Sequence, residues 1–515
     1  MLFRSLGLPL LIPQLFSRRV FAGLILFGLG ALLALIAELP YGGWLQIPIL
    51  STVWWRLRLE VSQTLKRYFA YGLMFGLGYF LIGLWWLYIS MHDVGGMNPV
   101  LSSLAVFMLS LYMALYFSVA SFSIRYFKQS SINGLLLAAS WVAMEYLRGY
   151  LFTGFPWMGL AENQFNGPFA AIAPIFGGLA CTFLAVWASW EILQIRVRPV
   201  ICSTSILATI ALTQLAGQIS YTKPFGEPIS VRLIQGNFEQ SLKFNPQAIS
   251  QQIDFYVSEI QKKSADLIII PETAFPWSQN NLPVSLLNYL QNYSNASLSN
   301  LLLGLVGEVS SKQGVQYTNR AVGLSPNTQP YLYDKVHLVP FGEFIPTGFH
   351  WFIKAFNVPL SDFARGSFDQ KPFSIERKNQ EDVHAAITIC YEDVFGDELA
   401  SRIRHNPEPV HLLINMTNLA WFGQSQAPTQ QLRLSQLRSL ETGLPALRVT
   451  NTGITAALGP NGKVLQALPE FTQATLTYKI QPYSGQTPYV RWGNLPILSL
   501  SVALLIWGFI RHRRF

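Results

Sequence analysis

His384-Ala-Ala-Ile-Thr-Ile-Cys390-Tyr391-Glu392-Asp393 is an apolar, β-branched run that ends abruptly on a thiol, an aromatic ring and two carboxylates. Two other stretches share the design. Asp266-Leu-Ile-Ile-Ile-Pro271-Glu272 is an apolar strand candidate ending on a carboxylate. Tyr333-Asp334-Lys335-Val-His337-Leu-Val-Pro340-Phe-Gly342-Glu343 sets a lysine beside an apolar run. A neutral thiol attacks poorly, and the thiolate is the nucleophile. A carboxylate brought close takes the thiol proton, and an ammonium stabilises the thiolate and then the oxyanion of a tetrahedral intermediate. Glu272, Lys335 and Cys390 therefore suit acyl transfer through a thioester. Taken singly, each has a plainer role: a carboxylate near a helix N-terminus, a salt-bridge partner of Asp334, and an inert thiol at a strand end.

Around these stretches, apolar strand candidates alternate with helix-like segments. Strands are expected near 230–235, 267–271, 301–306, 385–390, 411–416 and 446–458. Ile249 to Ser264 reads as an amphipathic helix with Ile249, Ile253, Tyr256 and Ile260 on one face, and Thr429 to Glu441 reads as another. The pattern predicts an α/β domain over 225–485 with long functional loops, notably 340–380.

The flanks are of another kind. Half of the 515 residues are hydrophobic and only 12% are charged, too apolar for an ordinary soluble protein. A hydrocarbon core of roughly 30 Å takes about 20 apolar residues in a helix. Eight stretches qualify as candidates, at about 21–38, 42–55, 69–90, 98–122, 131–149, 168–190, 199–217 and 493–510. This predicts seven membrane helices in residues 1–220, the α/β domain, and an eighth helix with a basic tail in 490–515. The Arg18-Arg19 pair raises the reading of a cleaved export signal. Six further apolar stretches before the polar domain, and the lack of a clear small-residue cleavage site, speak against it.

Basic residues fill alternate loops: Arg4, Arg18 and Arg19; Arg56, Arg58, Lys66 and Arg67; Arg125 and Lys128; Arg196 and Arg198; Arg511, Arg513 and Arg514. Arg148 and Arg491 are exceptions on the other side. The positive-inside rule places these loops and both termini in the cytoplasm and the α/β domain outside it, most simply in the periplasm of a bacterial inner membrane. The same loops account for the net charge of +9, so nucleic-acid binding is a poor explanation of it. Three cysteines are too few for a disulfide framework, and Cys181 and Cys202 lie in apolar segments as small packed hydrophobes. No Cys/His spacing suggests a metal and no glycine-rich phosphate loop is present, so neither metal nor cofactor is expected.

Further motifs accompany the three stretches. They are Trp141-x3-Glu145-x-Leu147-Arg148-Gly149, Thr153-Gly154-Phe155-Pro156-Trp157, Gln235-Gly236-Asn237, Asn415-x2-Asn418-x2-Trp421-Phe422-Gly423 and Thr450-Asn451-Thr452-Gly453. Glu272, Lys335 and Cys390 resemble the Glu-Lys-Cys triad of the nitrilase (carbon–nitrogen hydrolase) superfamily. With the eight apolar stretches, nearly the whole chain resembles the apolipoprotein N-acyltransferase family. The resemblance implies an αββα sandwich for the middle domain and a ping-pong reaction, the last step of lipoprotein maturation. Cys390 would take an acyl chain from a membrane phospholipid, typically phosphatidylethanolamine. It would pass that chain to the α-amine of the diacylglyceryl-cysteine that begins an apolipoprotein.

In that pattern Glu272 is the base, Lys335 the oxyanion stabiliser and Glu343 a support for the triad, while Tyr391 and Glu392 shape the acyl pocket and the thiol's surroundings. Phe244 stands where the family often has Trp, keeping an aromatic for lipid contact. Leu419 and Gln431 depart from the usual Asp and His. Glu145 and Arg148 read either as an interfacial pair with a snorkelling arginine or as an anchor for the 150–165 loop, and Phe155 to Trp157 as an interfacial aromatic belt. Two rival functions use the same residues: a membrane-anchored amidase of small amides, and a dead lipid-binding module. Eight helices around the domain favour a substrate that lives in the bilayer.

Overall fold

The structure, a computed structural model, describes residues 18–59, 64–126, 133–240, 246–311, 314–346, 348 and 362–513. Each of the eight apolar stretches contains a helix. In the first part of the chain these are α1 (Arg18–Ile36), α2 (Gly42–Arg58), α3 (Leu65–Gly83), α4 (Pro99–Tyr126), α5 (Asn133–Arg148), α6 (Gly178–Gln194) and α7 (Pro199–Ala216), and a last helix covers Leu495–Arg513. Among the described residues, Arg19–Ile36, Pro99–Ile124 and Pro199–Ala216 are long and apolar enough to cross a membrane. A fourth qualifies if Leu65–Gly83 and Leu87–Val94, bent by 59°, make one span. The sixth stretch differs from expectation. Its long helix begins only at Gly178, because Gly177 takes a left-handed backbone (φ 76°) and a side chain there would strike the Tyr489 ring. In the bundle, α1 and α3 approach backbone to backbone, with Gly78 against the Phe27 carbonyl.

The middle of the chain folds into strands β1 (Thr222–Pro224), β2 (Ile229–Gln235), β3 (Leu267–Ile269), β4 (Phe275–Ser278), β5 (Asn300–Ser311), β6 (Gly314–Leu324), β7 (Tyr331–Asp334), β8 (Phe373–Ile375), β9 (Val383–Ile389), β10 (Leu412–Thr417), β11 (Ala446–Thr450), β12 (Ala456–Leu458), β13 (Val464–Ala467), β14 (Ala474–Ile480) and β15 (Tyr483–Gly485). One sheet runs β14-β2-β3-β5-β6-β7, with β4 attached to β5, and the other runs β13-β12-β11-β10-β9-β8. Their centres are parallel, β2-β3-β5 and β9-β10-β11, and their edges antiparallel.

Period-two alternation explains the layering. Val231, Leu233, Leu267, Ile269 and Leu302 face Ile387, Ile389, Ile414, Met416 and Val449 in one core between the sheets. Their sequence neighbours Ile234, Ile268, Ile270 and Leu301 pack outward against helices Pro246–Lys262 and Val284–Ser297. On the second sheet, Leu413, Ala446 and Leu458 pack outward with Leu399 and Ile403 of helix Gly396–His405. The result is the expected αββα sandwich. Burying each Val, Leu or Ile of this core contributes roughly 1.5–3 kcal/mol.

Candidate active site

The site forms where strand ends from both sheets converge. Cys390 leaves β9 on a left-handed backbone (φ 50°) and opens the turn Cys390–Val394. For a side chain other than glycine this conformation costs about 1–3 kcal/mol, so it has to be held. The Cys390 carbonyl accepts from Gln431 Nε2 at 3.0 Å and from Asn415 Nδ2 at 3.4 Å. Glu392 bonds back to the Ile389 amide at 2.7 Å, closing the turn from its other side.

Glu272 follows β3 and Lys335 follows β7. Lys335 is 1% exposed and carries its ammonium between two carboxylates, 2.8 Å from Glu343 Oε1 and 3.3 Å from Glu272 Oε1. Asn319, on β6, bridges the same two oxygens with its Nδ2, at 2.7 Å to Glu272 and 2.8 Å to Glu343. Its backbone carbonyl also accepts the Lys335 amide at 2.8 Å. The remaining carboxylate oxygens are bound by backbone: the Asn418 amide donates to Glu272 Oε2 and the Val339 amide to Glu343 Oε2, each at 2.8 Å. Both carboxylates and the ammonium of this cage are therefore held by protein partners on every polar atom.

Two carboxylates and one ammonium set the electrostatics. Burial disfavours the Lys335 ammonium, but Glu343, Glu272 and Cys390 outweigh it and hold its pKa above the usual lysine range. Burial and then the Glu272 charge push the Cys390 thiol up to about 12, against the opposing pull of Lys335 and the Thr417 hydroxyl. The Cys390 thiol therefore rests in its neutral form.

Glu392 takes no part in that cage. Its carboxylate accepts from Tyr333 Oη at 3.0 and 2.9 Å, from Val336 N at 2.7 Å and from His337 N at 3.3 Å, besides Ile389 N. It ties the chain beyond Lys335 to the turn of Cys390. Arg402 reinforces the tie through Tyr333 and the Ile387 carbonyl.

Tyr391 points the opposite way from its neighbour's role. Its ring stacks with Phe155 and Trp157 at centroid distances of 6.0 and 6.4 Å, and its hydroxyl donates to the Gly154 carbonyl at 3.1 Å. His337 Nε2 donates to the Thr153 carbonyl at 3.1 Å. Arg148 donates to the carbonyls of Phe155, Pro156 and Trp157. Five successive carbonyls, 153 to 157, are thereby occupied from three directions.

This decides one open reading and overturns one expectation. Arg148 is fully buried and does not snorkel; it is the loop's anchor, while Glu145 accepts from Trp141 and Thr182. Trp157 is 4% exposed and bonds Gln430 Oε1 at 2.8 Å, so it belongs to the seam between bundle and sandwich, not to a lipid-facing belt. An aromatic cluster at a helix end reads alike for either interface. Phe244 lies outside the described residues. Leu419 is buried, and Gln431 binds the Cys390 carbonyl.

Residues 230–489, which hold Glu272, Lys335 and Cys390, match the carbon-nitrogen hydrolase family. Residues 16–190 match the N-terminal domain of apolipoprotein N-acyltransferase. The apolipoprotein N-acyltransferase of Ralstonia nicotianae is 37% identical over 94% of this chain and 93% of its own length. That of Nitrosomonas europaea is 37% identical over 90% and 91%, and that of Bordetella bronchiseptica 34% identical over 88% and 89%. The chain belongs to the apolipoprotein N-acyltransferase family.

Proposed function

We propose that this chain transfers a fatty acyl group from a membrane phospholipid to the N-terminal amine of a diacylglyceryl apolipoprotein, through a thioester on Cys390. The observation that carries this is the thiol on a strained turn beside a lysine caged by Glu272 and Glu343. Glu272 takes the thiol proton as sulfur attacks the ester carbonyl. Lys335 stabilises the oxyanion, and the ester C–O bond breaks as Glu272 returns the proton to the departing lysophospholipid alcohol; the acceptor amine then attacks the thioester, gives its proton to Glu272, and the C–S bond breaks to restore the Cys390 thiol. Glu343 holds the Lys335 ammonium, Glu392 braces the two loops, Tyr391 fixes the catalytic turn to the bundle, and Phe244 supplies an aromatic contact. Phosphatidylethanolamine is the donor.

The same proposal takes residues 1–220 as seven membrane helices, 225–485 as the catalytic domain in the periplasm, and 490–515 as the eighth helix with a cytoplasmic tail. A polar domain that shares a seam with α5 reaches substrates embedded in the adjoining leaflet, which a plain amidase of small amides does not require.

Intact-mass analysis of purified protein exposed to phosphatidylethanolamine tests the chemistry. An acyl adduct lost in Cys390→Ala is expected, and transfer by Cys390→Ala would sink the mechanism. Alkaline phosphatase fused near residue 225 is expected to be active and the same enzyme after Phe515 inactive; the reverse pattern overturns the topology.

A further inference from the structure

Arg448 is a charged residue in the middle of the apolar strand β11, and it has no solvent exposure. Its Nη1 donates to Asn415 Oδ1 and to Ser435 Oγ, both at 3.0 Å, and its Nη2 donates to Gln431 Oε1 at 2.8 Å. Asp393 Oδ2 lies 3.6 Å from Nη1 and offsets the charge. The two amides that Arg448 holds by their oxygens are the two that hold the Cys390 carbonyl by their nitrogens. A side-chain amide is a donor at one end and an acceptor at the other, whereas a guanidinium has donors only and keeps its proton in proteins. The fork therefore decides which end of each amide faces it. Both NH2 groups must then point at the carbonyl of the one residue whose left-handed backbone aims the thiol.

We propose that Arg448 is a positioning residue for the acyl-transfer reaction, acting through Asn415 and Gln431 on the backbone of Cys390. This rests on Cys390 being the acyl carrier. Asn415 keeps a second hold, its Nδ2 donating to Thr388 Oγ1 at 3.0 Å, so the Gln431 amide is the one that loses its orientation without the fork; its oxygen facing the Cys390 carbonyl repels it and releases the turn.

The test uses full-length protein in phosphatidylethanolamine proteoliposomes, with acyl-enzyme formation and thermal unfolding measured on each variant. Arg448→Lys keeps a positive charge beside Asp393, but a compact ammonium does not reproduce the two-pronged grip. Acylation is expected to slow by roughly 10²-fold, the scale of a misplaced reacting group, with the apparent KM for phospholipid unchanged. Gln431→Glu still accepts from Arg448 but no longer donates to Cys390, so it is expected to slow acylation in a chain that still folds. Gln431→His supplies a readout that a purely structural role does not move. A neutral imidazole donates from one nitrogen and accepts at the other; a protonated one only donates, and it faces Arg448. Its acylation profile is expected to gain an acid limb, falling as pH drops through an imidazole pKa below about 6.5. Native-rate acylation in folded Arg448→Lys, or a Gln431→His profile parallel to the native one, overturns the proposal. Should Arg448→Lys not fold, the two Gln431 variants decide. Acyl transfer surviving in Cys390→Ala overturns the thioester reading together with this one. Loss there beside native-rate Arg448→Lys overturns the positioning role alone.

Discussion

Cys390 and Tyr391 are adjacent in the chain and belong to different worlds. The thiol opens on a cage of formal charges, Glu272, Lys335 and Glu343, in which each atom has a named partner. The tyrosine ring lies in the same hydrophobic cluster as Tyr79, Phe117 and Trp141 of the bundle. The front of the turn is organised by electrostatics and the back by shape. Changes at the front should therefore alter rate far more than stability, and changes at the back the reverse.

The largest effect is expected at the front. Cys390→Ala should abolish acyl-enzyme and product while thermal unfolding stays near native. Cys390→Ser should be severely impaired, since an alkoxide is far harder to form than a thiolate; a comparably active serine variant would break the comparison. Lys335→Met comes next. Losing one oxyanion donor slows acylation by about 10²–10³-fold, and Lys335→Arg should not rescue it, because a planar guanidinium does not fit between Glu272 and Glu343. Here the comparison has to be sharpened, since Lys335 also serves stability: its removal leaves two buried carboxylates facing each other. The native lysine pKa is raised, so the folded chain holds that proton more tightly than the unfolded one. The stabilisation is complete below the ordinary lysine value of about 10.4 and is lost only as pH rises through the higher folded value. The stability that Lys335 contributes through its charge should be flat between about pH 6 and 9 in calorimetry.

At the back, Tyr391→Ala should destabilise by about 3–5 kcal/mol, the range for emptying a buried aromatic site, measured as a loss of thermal stability. Tyr391→Phe removes only the bond to the Gly154 carbonyl and should cost about 0.5–1.5 kcal/mol. The smallest effect is a slope. Because the resting thiol is pushed up to about 12, its alkylation by iodoacetamide should keep rising with pH beyond 9. The unfolded chain should instead level off past about 8.5, and a native plateau at neutral pH would contradict the charge balance of the cage.

Much of this architecture is legible in the sequence where apolar runs stop on polar residues. The ends of β3 and β9 announce Glu272 and Cys390, and Ile249, Ile253, Tyr256 and Ile260 mark the buried face of helix Pro246–Lys262. Asn319 carries no such signal. It lies inside the long hairpin strand β6, and only the pairing of β6 with β5 and β7 brings it beside Glu272 and Lys335. Arg448 did leave a trace, a charge within an apolar strand, but its meaning depends on the parallel register that sets it opposite Asn415. The expected strand 446–458 is two strands, β11 and β12, reversed by the Asn451–Thr455 turn. β13 was missed because all four of its residues are exposed, so it has no buried face to leave an alternating pattern.

The occupied carbonyls of residues 153–157 also join early chain to late chain. Translation delivers that loop, with Arg148 already beneath it, well before the chains of His337 and Tyr391 exist. The later half of the protein therefore rests part of its turn on backbone supplied by the first half. A soluble fragment beginning near residue 225 would contain the cysteine, the lysine and both glutamates. It would still lack the surface on which Tyr391, next to Cys390, comes to rest.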